Sequence, residues 1–246
     1  MSADLALQDD AALAARLATS AGRLLLALRA GGALDGRALG DAGDAIANQF
    51  LTRALSRWRP DDAVLSEEAA ADPARLGRSR VWIIDPLDGT REYAEGRPDW
   101  AVHVGLAVDG AARAGAVCQP DIDVTLAAPG AVCAPCPGAL RIVVSRSRPP
   151  EAATRAAGAL GATLTPMGSA GAKTLAVLRG EAHAYVHAGG QYEWDSCAPV
   201  AVAAAAGLHV SRLDGSPLVY NRETPWLPDL VVCRPELRDA LLAALA

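Results

Sequence analysis

Two aspartates three residues apart, Asp85 and Asp88, follow a short run of β-branched and aromatic residues, Val81-Trp82-Ile83-Ile84. Such a run reads as a buried strand. It ends in Asp85-Pro86-Leu87-Asp88-Gly89, where Pro86 fixes its own φ and disfavours helix at Asp85, and Gly89 permits a left-handed turn or a close approach. Bare carboxylates on a rigid turn repel each other, and a hard divalent cation relieves that repulsion. A polar turn without any metal uses the same residue types, so the pair alone leaves both readings open. Upstream, Val64-Leu65-Ser66 is a second apolar run that ends in acids, Glu67-Glu68. If both strands end at one edge of a sheet, Glu67, Asp85 and Asp88 converge. Donors that are all oxygen suit Mg²⁺, Mn²⁺ or Ca²⁺, not zinc or copper. On this reading Asp88→Asn keeps the turn, loses a metal ligand and relieves repulsion in the metal-free chain.

Other chemistry is thinner. Gly168-Ser169-Ala170-Gly171-Ala172-Lys173 opens a predicted helix, and its free N–H groups with Ser169 and Lys173 could receive a phosphate. An ordinary N-cap and a solvated lysine fit the same residues. Asp195, after Glu193-Trp194, reads as the N-cap of an Ala-rich helix, and Asp44 as an acid at a helix start. Arg146 and Arg148 either face a phosphate or belong to a solvated loop. His103 lies within an apolar run and reads as a core histidine. Cys133-Ala-Pro-Cys136 is the one C-x-x-C among five cysteines; it lacks a second ligand pair for zinc, and Pro135 and Pro137 make it a loop, so ordinary reduced thiols are expected.

The elements that must position these groups follow in order. Residues 4–30 read as an amphipathic helix with Leu13, Leu17, Ala21, Leu24 and Leu28 inward, and 41–58 as a second with Ile46, Phe50, Ala54 and Trp58 inward. Two apolar runs, 100–108 and 114–118, flank Asp109-Gly110 and predict a hairpin, continued by a strand at 124–127. The Pro- and Gly-rich stretch 128–139 marks a boundary. Beyond it strands and helices alternate, which predicts an α/β half: residues 1–138 form one unit and 139–246 another.

Ser66-Glu67-Glu68 followed by Trp82-Ile83-Ile84-Asp85-Pro86-Leu87-Asp88-Gly89-Thr90 resembles the signature of the inositol monophosphatase superfamily of Mg²⁺-dependent, lithium-sensitive phosphomonoesterases. Thr90-Arg91-Glu92-Tyr93 and Val144-Ser145-Arg146-Ser147 are similar to the CysQ-type 3′(2′),5′-bisphosphate nucleotidases within it. The resemblance runs from about Leu5 to Ala246 and implies an αβαβα sandwich, with an antiparallel-sheet half followed by a mixed α/β half. It implies that Glu67, Asp85, the carbonyl of Leu87, Asp88 and Asp195 hold two or three Mg²⁺. It also implies that Glu67 and Thr90 orient the attacking water, with Asp44 accepting from Thr90. Gly89, Thr90, Ser169, Lys173, Arg146 and Asp195 would meet the substrate. The implied substrate is 3′-phosphoadenosine 5′-phosphate, with inositol phosphates or fructose 1,6-bisphosphate as alternatives within the enzyme class. A metal- or nucleotide-binding module is the alternative outside it. The segment His187–Tyr192 offers no plain equivalent of the glutamate that grips sugar hydroxyls in inositol-specific members, and a residue is added there.

Composition bounds the rest. A net charge of −5 argues against a general binder of nucleic acid polymers. No run approaches the ~18 apolar residues of a membrane span, and Met1-Ser2-Ala3-Asp4 lacks the start of a signal peptide. A cytoplasmic enzyme acting on a phosphorylated small molecule is expected, and the family resemblance allows a homodimer.

Overall fold

The computed structural model describes residues 3–246; Met1 and Ser2, on which part of the signal-peptide reading rests, lie outside them. The helices and strands run α1 (Ala3–Ala30), α2 (Gly36–Trp58), β1 (Ala63–Ser66), β2 (Arg80–Asp88), α3 (Thr90–Ala94), β3 (Ala101–Val108), β4 (Ala111–Gln119) and β5 (Val124–Ala128). After an irregular link come β6 (Arg141–Ser145), α4 (Glu151–Leu160), β7 (Thr163–Met167), α5 (Ala170–Leu178), β8 (Ala184–Tyr192), α6 (Glu193–Ala205), β9 (His209–Ser211), β10 (Trp226–Cys233) and α7 (Arg238–Leu245).

The first sheet has the order β1-β2-β3-β4-β5, the second β7-β6-β8-β10-β9. Alternation along β2 explains why the first sheet is covered on both faces. Trp82 and Ile84 pack with Leu13, Leu17, Leu25, Leu51 and Leu55 of α1 and α2, while Val81 and Ile83 pack with Cys197, Ala198 and Val202 of α6. On the second sheet Ile142, Val144, Val186 and Val231 face α4 and α7. The layers are therefore α1/α2, sheet, α5/α6, sheet, α4/α7, the expected five-layer α/β sandwich. The hairpin at Asp109-Gly110 forms with φ values of 50° and 77°, both left-handed as a two-residue hairpin turn requires.

Three expectations need correction. In α2 the buried face is Leu39, Gly43, Ala47, Leu51 and Leu55, while Ile46 and Trp58 are exposed. Closeness, not bulk, selects that face: a Cβ on Gly43 would stand 3.1 Å from both Leu25 and Leu87, and one on Gly40 2.7 Å from Thr90. In α1 Leu25 is buried and Leu24 is exposed. Finally, Asp9–Ala30 is long and apolar enough to cross a membrane by length and composition, although no unbroken apolar run reaches that length. Its apolar side is covered by the first sheet and α2.

Strand β3 crosses under α6 so closely that Gly105 has no room for a side chain. A Cβ there would lie 2.7 Å from the Ala198 backbone nitrogen and 2.9 Å from Cys197 Sγ. Gly105→Ala is expected to lower stability by about 1–3 kcal/mol, because the obstacle is helix backbone and cannot rotate away. Urea unfolding checks this, and an unchanged midpoint would contradict the packing described.

Candidate active site

Parallel pairing of β1 on β2, with Ser66 opposite Ile84, brings two acidic strand ends to one edge. The Glu67 N–H continues the ladder to the Ile84 carbonyl at 3.3 Å. β2 does not stop at Ile84 as its sequence suggests. Its pairing with β3 breaks between Asp85, opposite His103, and Asp88, opposite Ala101. Within that bulge the Leu87 N–H donates to Asp85 Oδ1 at 3.1 Å. Gly89 then turns the chain into α3 at φ 92°, with Trp100 packed where a side chain would project.

Carboxylate oxygens of Asp85, Asp88 and Asp195 lie within 4.8 Å of one another. Asp195 comes from the second half of the chain. It is not the N-cap of α6 but its third residue, where it accepts from the Tyr192 N–H at 2.6 Å. Thr90 Oγ1 lies 3.1 Å from the Leu87 carbonyl and 3.3 Å from Asp44 Oδ2. Asp44 sits well inside α2 rather than at its start, and its Oδ1 is buried without a partner among the described residues. Glu67 stands on the exposed rim of the same cluster.

The electrostatics separate these acids. Burial, and then the charge of Glu68, pushes the Asp44 carboxyl up to about 7. Burial among neighbouring protein atoms, then the charge of Asp195, pushes Glu67 up to about 7 despite its exposed position. Burial, then Asp88, takes Asp195 up to about 6. Burial, then Glu67, holds Asp85 well above the carboxylate range. Asp88 goes the other way: burial would raise it, but His103, Lys173 and Ser169 bring it down to about 2. Asp88 is as crowded as its sequence suggests, within 4.8 Å of two other carboxylates, but these donors and cations outweigh the repulsion at Asp88 itself.

Its Oδ2 accepts from Ser169 Oγ at 2.5 Å and from the Gly171 N–H at 2.8 Å, and His103 Nε2 stands 3.1 Å away as an ion-pair contact without hydrogen-bond alignment. Ser169 thus caps α5 and holds Asp88 at once. His103 is a site residue that sequence reasoning missed. Its Nδ1 contacts the Trp194 carbonyl at 3.1 Å, and Gly171 leaves room for the ring, since a Cβ there would be 2.1 Å from Nε2. The signal, a polar residue directly opposite Asp85 in an otherwise apolar strand, was present but shared with any buried histidine.

A cleft of about 270 Å³ opens over the cluster, with Glu67, Asp88, Asp195, Arg148 and Lys173 among its lining residues. Lys173 is buried; its ammonium donates to the Gly168 carbonyl at 3.1 Å and lies 5.1 Å from the Tyr185 ring centre. Burial lowers its pKa, opposed by Asp88 and Glu92. Arg146 is not brought to this cleft. Its guanidinium is held by Glu92 at 2.7 Å and Glu95 at 3.0 Å, and Arg148 takes the lining position. The donors are all oxygen, and three of the acids are held above their ordinary range by burial and mutual repulsion, so the cluster fits a hard cation.

Residues 8–246 match the model of the inositol monophosphatase family. The chain is 50% identical to the 3′-phosphoadenosine 5′-phosphate phosphatase of Mycobacterium leprae (strain TN), across 96% of this chain and 93% of that one. It is 32% identical to the 3′(2′),5′-bisphosphate nucleotidase CysQ of Escherichia coli (strain K12), across 76% and 81%. Among solved structures, CysQ from Bacteroides thetaiotaomicron superposes with a TM-score of 0.80 at 26% identity, covering 94% of this chain and 98% of that one.

The raised acids carry a pH signature. Asp44 and Glu67 near about 7, and Asp195 near about 6, bind more protons when folded than when unfolded. Stability therefore falls as pH rises from about 4 to about 7. The opposite contribution of Asp88, held near about 2, is lost only below about pH 4. The thermal midpoint of cation-free protein is expected to drop between about pH 5 and about pH 8, and a saturating divalent cation is expected to flatten the slope. A midpoint that climbs over that interval without metal would contradict this electrostatic description.

Proposed function

Because the chain belongs to the inositol monophosphatase family, we propose that it is a Mg²⁺-dependent phosphomonoesterase that converts 3′-phosphoadenosine 5′-phosphate to AMP and phosphate. The observation that carries this reading is the cleft's lining, in which Glu67, Asp88 and Asp195, carboxylates that suit a cation, occur together with Arg148 and Lys173. A substrate with two phosphates matches both, one at the reacting centre and one against fixed positive charge.

Glu67, Asp85, Asp88, Asp195 and the Leu87 carbonyl would hold two or three Mg²⁺. Bound there, the metal neutralises phosphate oxygens, acidifies water and stabilises the departing alkoxide. The chain's own residues do the rest. The Thr90 hydroxyl donates to Asp44, which turns a lone pair of its oxygen toward the attacking water. The Glu67 carboxylate takes a proton from that water. N–H groups of Gly89 and Thr90, at the start of α3, receive the phosphate's outer oxygens. The P–O bond to the 3′ oxygen breaks as the new one forms, and the released alkoxide takes up a proton. No covalent bond to the protein is involved.

One observation weighs against an inositol phosphate. Glu193, immediately before Trp194-Asp195, is fully buried, and its carboxylate accepts from the Asn221 and Arg222 N–H groups at 2.7 and 2.8 Å. It is committed to the 221–222 loop and is not free to grip sugar hydroxyls.

The test is kcat/KM for 3′-phosphoadenosine 5′-phosphate, inositol 1-phosphate and fructose 1,6-bisphosphate in one Mg²⁺ buffer. The nucleotide is expected to be best, by roughly tenfold or more from one charge-assisted phosphate contact. EDTA is expected to abolish turnover and Li⁺ to inhibit it. Inositol 1-phosphate as the best substrate, or full turnover after chelation, would overturn the assignment.

A further inference from the structure

The pairing of β8 with β10 slips just before the site. Tyr192 faces Trp226 and Gln191 faces Leu227, but the next pair is Ala188 with Asp229. Gly189 and Gly190 fill the slip at φ 96° and 97°. A Cβ on Gly190 would lie 2.7 Å from Trp226 Nε1, and His187 Nε2 contacts the Gly190 carbonyl at 2.8 Å. A bulge re-aims the side chains beyond it. Here those are Gln191 and Tyr192, both lining the cleft.

Gln191 is only 6% exposed, yet neither its Oε1 nor its Nε2 has a hydrogen-bond partner among the described residues. A buried carboxamide with donor and acceptor both idle is uncommon, since buried polar groups are nearly always paired. Beside it, Tyr192 is 46% exposed and stacks on Trp194, with ring centres 4.7 Å apart and planes 10° from parallel.

We propose that Gln191 and the Tyr192–Trp194 pair form a nucleobase subsite, in which the Gln191 carboxamide reads the 6-amino edge of adenine. The inference rests on the nucleotidase reading above and adds the residue that selects the base. A carboxamide presents a donor and an acceptor side by side. Adenine's amino group and adjacent ring nitrogen present the complementary pair. A phosphate has only acceptors and suits cations, such as Arg148 and Lys173 of the same lining. The exposed face of Tyr192 offers a flat surface for the ring, which any base can use. Stacking then holds a base and Gln191 chooses which.

The experiment compares 3′-phosphoadenosine 5′-phosphate with purine riboside 3′,5′-bisphosphate, which keeps the ring system but lacks the 6-amino group. Each is assayed with the wild-type enzyme and with Gln191→Met, which is close in shape and apolar. The wild-type protein is expected to favour the adenine compound by about tenfold in kcat/KM, as one hydrogen bond formed on binding gives. Gln191→Met is expected to bring that ratio to about one by lowering the adenine value. Calorimetric binding of AMP and purine riboside 5′-monophosphate to the wild-type protein gives the same comparison without any variant. Equal affinities there, or a variant that lowers both substrates equally, would overturn the role of Gln191 while leaving the nucleotidase reading intact. Failure of the wild-type protein to hydrolyse either bisphosphate would overturn both.

Discussion

The structure depends on what holds a single oxygen, Asp88 Oδ2. Asp88 comes from the first sheet, while Ser169 Oγ and the Gly171 N–H that bind it come from the start of α5 in the second half. His103, deep in β3, adds its ring and at the same time contacts the Trp194 carbonyl at the start of α6. A buried carboxylate without such partners would not stay charged. With them it joins the two sheets through the helices between, and it fixes the end of β2 relative to the starts of α5 and α6.

Those neighbours have no comparable support. Asp85 is raised by burial and then by the charges of Glu67 and Asp88, Asp195 by burial and then by Asp88, and Glu67 on the rim is raised too. The fold therefore carries a patch of mutual repulsion that only a cation or protons relieve. Such local instability is expected where a site must bind a metal, and is offset by packing elsewhere. The tightness of that packing shows at Gly43, Gly105 and Gly171, where helices come too close for a side chain. Small residues at these contacts set the distances that bring Asp44 to Thr90 and α5 to Asp88.

Much of this was legible in the chain. The acids at 67, 85 and 88 could be placed together because both runs before them read as strands, and a shared sheet edge follows from parallel pairing. Asp195 and Asp44 came only through the family resemblance, since each alone looks like an ordinary helix acid. What escaped reading depends on contacts between distant segments. The buried face of α2 was misjudged because Ile46, Phe50 and Trp58 are bulkier than Gly43 and Ala47, whose smallness was the true signal. The place of Arg146 escapes the sequence because its pairing with Glu92 and Glu95 crosses more than 50 residues of chain. His103 and Gln191 were hidden for one reason: a polar residue in a strand gains its meaning from what lies beside it.

The central claim is that Asp88 is a supported charge and Asp85 an opposed one. Unfolding of cation-free protein near neutral pH tests it most directly, with Asp85→Asn and Asp88→Asn measured side by side. The depression of the Asp88 pKa from 3.8 to about 2 corresponds to roughly 2 kcal/mol of stability at neutral pH, or about 4–8 °C for a chain of this size. Asp88→Asn is predicted to lower the thermal midpoint by about that much, and Asp85→Asn to leave it level or raise it. The reverse order, with Asp88→Asn the more stable of the two, would contradict the account.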